Sequence, residues 1–422
     1  MSRSAVILGL TSVGLVIGCS GGGGSSSNHG VASTAAPVHS QVAPVISNTP
    51  APVTSAVIAK PANGVSRFLY VANAAAGSIT QYQISSTTGA ITCLNGVYLP
   101  SGEQPSVLCV NPAQTFLFAL TQDTIWTFAI APTSGALTSA GGTGPTLGSA
   151  PWWLAIDPTG TCLVETDSAD DTITSFTVGA TGTVTQGTQV QLTAGNGTAN
   201  CAITTNGGTE YVAVCGQSLG SVNVLTLEPG NGALALLSGS QIMTSATTDA
   251  TIVQFDPTGA YCVVATQDIV NTPPTASSIV AFSFATGVLT QVGSPITLAA
   301  GAFPWDIEFD SKSANVFVAC DEPQGTAAAP AAPNAGMVFN FTNAAGTLTA
   351  NAITPSATVG YTPMQLALDA SNSYGFTADA ASDDIQVMVD TSGALSVNLP
   401  PTTIPALAGG GPFVPMSLVT VK

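Results

Sequence analysis

The chain has 422 residues, of which 6% are charged, and 22 acidic against 5 basic residues give a formal net charge of −17. So few cations on so acidic a surface would repel nucleic-acid phosphates and anionic lipid headgroups, which argues against either as a partner. With charge this sparse, Thr, Ser, Asn and Gln must cover the exterior.

The N-terminus reads as an export signal. Arg3 gives a positive start, residues 5–17 are apolar, and Val16-Ile17-Gly18-Cys19 follows. That apolar run is shorter than the roughly 20 residues a membrane-spanning helix needs. An apolar stretch ending at a small residue and a cysteine resembles a bacterial lipobox. On that likeness residues 1–18 are a lipoprotein signal peptide and Cys19 carries the lipid. Residues 19–63 open with Gly21 to Gly24 and stay rich in Gly, Ser, Ala, Pro and Thr. This composition predicts a flexible tether. Removing the signal removes Arg3, so the mature chain carries 4 basic and 22 acidic residues, a net −18.

From residue 64 to 422 a glycine turn recurs seven times. It reads Thr88-Gly89-Ala90-Ile91-Thr92, Ser134-Gly135-Ala136-Leu137-Thr138 and Thr181-Gly182-Thr183-Val184-Thr185, and then returns at Gly232, Gly287, Gly346 and Gly393. The glycines step by 46, 47, 50, 55, 59 and 47 residues. A period of that size carried by short β-rich runs marks a β-propeller with one blade per repeat. The expected fold is all-β, with seven blades of four antiparallel strands.

A second landmark holds each repeat in frame. Pro151 lies six residues before Asp157, and the same step separates Pro304 from Asp310, Pro363 from Asp369 and Pro105 from Asn111. Apolar residues alternate inside that frame (Leu154 and Ile156, Ile307 and Phe309, Leu366 and Leu368), as in a strand with a packed face. This proline-slot strand should be the innermost of its blade. Segments such as Asp157-Pro158-Thr159-Gly160 and Asp256-Pro257-Thr258-Gly259 read as tight turns. Pro415 to Val421 repeats the inner strand, and nothing like it precedes Arg67. The C-terminal segment should therefore complete the first blade and close the ring, which removes exposed sheet edges.

The loops leading into the inner strands share one face of a propeller, the upper face. Trp152, Trp153, Phe303 and Trp305 cluster there around slot prolines, with Tyr361 and Phe413 near equivalent loops, and form a candidate aromatic rim for a sugar or apolar ligand. Acidic residues gather on the same face: Asp167, Asp170 and Asp171; Asp379, Asp383 and Asp384; Asp321 and Glu322; Asp268. Asp306 and Glu308, with Gln254 and Gln365 at related positions, are candidate oxygen ligands for a hard cation such as Ca²⁺. Two long upper loops, residues 267–278 and 321–336, suit partner contacts. Cys201 and Cys215 lie at equal distances from Gly208, a spacing that allows a disulfide in an oxidising compartment. Cys109, Cys162 and Cys262 fall in strands and read as small buried hydrophobes.

The unit Leu69-Tyr70-Val71-Ala72-Asn73, Gly77 to Ile84 and Thr88-Gly89-Ala90-Ile91-Thr92 resembles the seven-bladed lactonase-family propellers, which include bacterial 6-phosphogluconolactonases. The resemblance spans residues 67–422 and implies the fold and, as an activity, lactone hydrolysis. Members typically carry His after the slot proline, with Arg and Glu at the channel mouth. This chain has Ser106, Trp152, Trp305, Met364 and Met416 after its slot prolines, and its two histidines, His29 and His39, lie in the tether. The propeller's basic residues are Arg67, Lys312 and Lys422. An anionic, phosphorylated lactone would find no Arg or Lys at the upper mouth.

Three readings follow. The first is an exported, membrane-anchored scaffold in the periplasm or on the cell surface, binding carbohydrate, wall material or an envelope protein. The second is a hydrolase of neutral lactones or esters, with a divalent metal at Asp306 and Glu308. The third is a structural module of an envelope assembly.

Overall fold

The computed structural model describes residues 68–100, 103–140, 144–239, 241–244, 248–268, 277–299, 301–321, 336–350, 357–397, 399–404 and 415–421. The signal, Cys19, the tether, Arg67, Phe413, Glu322 and most of both long upper loops lie outside the described residues.

Seven antiparallel sheets follow one another along the chain. Their inner strands are Pro415–Val421 (blade 1), Val107–Val110 (blade 2), Pro151–Ile156 (blade 3), Thr198–Asn206 (blade 4), Thr248–Phe255 (blade 5), Phe303–Phe309 (blade 6) and Pro363–Leu368 (blade 7). Each inner strand neighbours the inner strands of the blades on either side, which closes the ring. Blade 1 is completed as the sequence implies: Pro415–Val421 pairs antiparallel with Phe68–Asn73, Leu418 opposite Val71. In blades 4, 6 and 7 the outermost strand comes in two pieces paired to the same neighbour. Hydrophobic clusters fill the spaces between adjacent blades; one joins Val164 of blade 3 to Val212 and Val214 of blade 4.

The recurring glycine has a packing reason as well as a backbone one. Gly135 has a φ of +66°, and a Cβ there would lie 2.6 Å from the Phe68 ring of blade 1. The same approach places Gly89 against Tyr374, Gly182 against Phe116, Gly287 against Tyr211 and Gly346 against Tyr261. In these five blades the turn thus sits on an aromatic ring of the blade before it, and only glycine allows both the left-handed backbone and the contact. Tyr70 adds a hydroxyl hydrogen bond to the Gly135 carbonyl at 2.5 Å.

The six-residue step has a reason of the same kind. The residue ending it turns its side chain back to cap the next strand. Asp256 Oδ1 accepts the Tyr261 N–H at 2.8 Å, Asp369 Oδ1 accepts that of Tyr374 at 2.8 Å, and Asn111 Oδ1 accepts that of Phe116 at 2.9 Å. These side chains satisfy backbone donors at a tight turn.

The Cys201–Cys215 bridge does not form; both thiols are free. Asn206 pairs with Thr209 around a two-residue turn, so Cys201 faces Val214 rather than Cys215. A shift of one residue sends a side chain to the opposite face of a sheet. Cys201 packs between blades 3 and 4, and Cys215 between blades 4 and 5. Cys162 and Cys262 are buried as expected, whereas Cys109 is half-buried.

Candidate functional site

The inner strands begin with a bulge that the sequence spacing does not reveal. In blade 3, Pro151 pairs with Asp167 and Trp153 with Thr166, leaving Trp152 as the extra residue. The same shift leaves Trp305 extra in blade 6, Met364 in blade 7, Met416 in blade 1 and Thr251 in blade 5. A bulge re-aims the residue it leaves unpaired. The post-proline positions therefore gather at the upper mouth of the channel.

Their surroundings differ. Trp152 is 44% exposed. Trp305, Met364 and Met416 are half-buried, and the indole nitrogen of Trp305, itself buried, has no hydrogen-bond partner in the protein. Trp153 packs between blades 2, 3 and 4 and is part of the fold. Phe303 is half-buried, paired opposite Asp321.

One step deeper, two candidate ligand-binding side chains stitch blades together. Asp306 Oδ2 accepts the Leu366 N–H of blade 7 at 2.8 Å, and its Oδ1 accepts the Ile307 N–H at 2.9 Å. Gln365 Oε1 accepts the Leu418 N–H of blade 1 at 2.9 Å. Ser417 Oγ continues the series to Leu108 of blade 2 at 2.9 Å, and Asn200 Oδ1 binds the Val253 N–H of blade 5 at 3.0 Å. Burial pushes Asp306 up to about 7, against the two backbone hydrogen bonds that lower it.

Gln254 and Glu308 lie further down, at the end of the channel that carries the Asp-Pro turns. They line a cavity of about 360 Å³ with Ile203, Thr204, Phe255 and Phe309. Glu308 is pushed up to about 8 by burial and then by the neighbouring Asp306 charge. With both Asp306 oxygens occupied, the pair offers a calcium ion one carboxylate free of backbone hydrogen bonds, and Ca²⁺ takes six to eight oxygens. Among the described residues no three His, Cys, Asp or Glu side chains converge as a metal site.

The upper-face acids are held by neighbouring backbone. Asp167 accepts the Ala150 and Asp170 N–H groups at 2.8 Å each, Asp170 accepts the Ser149 N–H at 3.0 Å, and Asp171 accepts those of Gly195 and Gly197 at 2.6 Å each. Lys312, exposed on a lower turn, is the sole basic side chain among the described residues.

Sequence similarity agrees with this architecture. The profile of the family described as "Lactonase, 7-bladed beta-propeller" matches residues 41–147 and 141–328. The chain belongs to the seven-bladed β-propeller lactonase family. No curated protein matches it by sequence. Among solved structures it is similar to a putative 6-phosphogluconolactonase from Bacteroides uniformis, with a TM-score of 0.70 and 18% identity, over 85% of this chain and 100% of that one. A second putative 6-phosphogluconolactonase, from Bacteroides fragilis, gives 0.69 and 15%, over 86% and 100%. A periplasmic gluconolactonase from Pseudomonas aeruginosa gives 0.69 and 16%, over 84% and 99%. At these identities the likeness is one of fold. This member of the lactonase family places Trp152, Trp305, Met364 and Met416 around its upper mouth.

Proposed function

We propose that this lactonase-family propeller is an exported, lipid-anchored protein that binds an uncharged carbohydrate or sugar lactone at its upper mouth. One observation carries the reading: the inner-strand bulge presents Trp152 to solvent, with half-buried Trp305 at the matching position of blade 6. Tryptophan offers an apolar face for a sugar ring and a donor for its hydroxyls. The described mouth supplies no base for a phosphate, which favours an uncharged ligand over a phosphorylated one. The apolar run before Cys19 and the tether after it support export and anchoring; an envelope protein remains the alternative partner. Titrating the protein with D-glucose and D-glucono-1,5-lactone while following tryptophan emission tests the reading. A saturable change lost in Trp152→Ala supports it, and no saturable change refutes it.

Hydrolysis of a neutral lactone is the second reading, favoured by membership of the lactonase family. Glu308, pushed up to about 8, would serve as general base in its ionised form above that pH, with the Gln254 carboxamide as donor to the developing oxyanion. Acid release from D-glucono-1,5-lactone above the spontaneous rate, abolished by Glu308→Gln, would establish it. A rate equal to the spontaneous one would leave the binding role alone.

A further inference from the structure

The channel's lower end, where the hydrolytic reading also places Glu308 and Gln254, carries a constellation that the mouth does not use. The cavity there opens between the exposed Pro158, Thr205 and Pro257 and is walled by Ile203, Phe255 and Phe309. Gln254 of blade 5 and Glu308 of blade 6 stand at matching positions, four residues after Ala250, which takes the slot position in blade 5, and after Pro304. Neither side chain makes a hydrogen bond within the described residues, unlike Asp306 and Gln365 two residues after the slot. At the same position the other blades carry Cys109, Ala155, Ile203, Ala367 and Val419, none with a comparable polar group. The two partnerless polar groups are therefore side by side in an otherwise apolar ring.

We propose that this cavity is a second ligand site, for a small uncharged ring bearing hydroxyls, of monosaccharide size, held by Glu308 and Gln254. The volume sets the size, because about 360 Å³ lies near the lower end of small-molecule pockets, which span roughly 300–1,000 Å³. The walls set the shape: three apolar side chains and two prolines suit the C–H faces of a ring. A carboxyl and a carboxamide set the polarity, together offering donors and acceptors to hydroxyls. Anions are disfavoured, because Glu308 and Asp256 line the cavity and no base does. A divalent cation is disfavoured too. Asp256 spends Oδ1 on Ala260 and Tyr261 and Oδ2 on Thr258 and Ser313, which leaves Glu308 as the one unengaged carboxyl.

Calorimetric titration of the full chain with D-glucose tests this site separately from the mouth. Glu308→Leu and Gln254→Leu should each weaken binding about tenfold, the scale of one or two lost hydrogen bonds. Glu308→Gln should retain binding, because a carboxamide supplies the same donor and acceptor. Trp152→Ala should leave this component intact while removing any component at the mouth. Unfolding midpoints of all four variants establish that each is folded, and the two leucine variants lie on different blades, so the failure of one leaves the other. Absence of glucose binding in the parent overturns the proposal. So does binding that survives both leucine variants, or that disappears entirely with Trp152→Ala.

Discussion

Asp379 and Asp384 stand directly opposite each other on adjacent strands of blade 7, both buried, and Oδ1 of each lacks a donor from the protein. Equivalent positions in other blades pair Asn73 with Ser78, Asp167 with Thr172 and Gly216 with Ser221. Blade 7 alone among these four sets acid against acid. Asp379 Oδ2 accepts the Gly360 N–H at 3.1 Å, which ties the pair to the loop leading into its inner strand. Burial and then the Asp384 charge raise Asp379 well above the usual carboxylate range; Asp384 is raised as well, chiefly by burial. Two such groups are stable together when they share a proton.

Asp384→Asn supplies a permanent donor where the shared proton stood. It should stabilise the protein by about 1–2 kcal/mol at pH 8, where the native pair is pressed to ionise, and much less at pH 5. Denaturant midpoints at the two pH values check this. An equal effect at both would show that the pair does not hold a proton.

The whole propeller should be more stable in mild acid than at alkaline pH. Burial, then Asp167 and Asp170, push Glu165 up to about 8, and burial, then Asp157, push Glu210 up to about 7. A carboxyl raised above its unfolded value of about 4 keeps a proton in the folded state that the unfolded chain has released. Its contribution is full below about pH 4 and is lost as pH rises through the folded values. The melting temperature should therefore fall from about pH 5 to about pH 8. A rise across that window would contradict the assignment.

Asp306→Ala should cost roughly 2–4 kcal/mol, because it strips the acceptor from two backbone N–H groups, one of them on the next blade. Asp306→Asn, which keeps one carbonyl oxygen, should cost less. Urea midpoints with and without calcium measure both variants. A calcium-dependent stability lost in Asp306→Asn would instead point to a cation at this residue.

All seven propeller cysteines should react with a thiol reagent in the denatured protein without prior reduction, and a reductant should leave the melting temperature unchanged. The register that sends Cys201 and Cys215 to opposite faces requires both results. Recovery of five thiols would show a bridge.

The fold was legible because its signals are local and repeated. The glycine of each turn, and the Asp or Asn that ends the six-residue step in five blades, serve the same backbone task from blade to blade, so their spacing survives in the sequence. Ring closure by Pro415–Val421 followed from the same frame. Strand register was less legible. Counting from Gly208 gave the wrong partner for Cys201, because Asn206 and Thr209 close a turn centred between Gly207 and Gly208, which moves the partner by one residue. The bulge at Trp152 was hidden for a related reason: an extra residue shared by most blades leaves the repeat length unchanged. Spacing could not separate Asp306 from Glu308 either. The two share a strand face, and only the approach of Leu366 from the next blade shows that one is a stitch while the other faces a cavity. The pair of Asp379 and Asp384 was visible as acidic residues in one loop, but their burial against each other is a tertiary fact.

The most direct test of a ligand site at the mouth is a tryptophan-emission titration of the parent chain and Trp152→Ala with D-glucono-1,5-lactone and D-glucose. A ligand site at the mouth predicts a saturable change in the parent that is absent from the variant, with unfolding midpoints matching within about 0.5 kcal/mol, as expected for an exposed side chain. A parent that shows no saturable change, or a variant that responds as the parent does, would contradict a ligand site at the mouth.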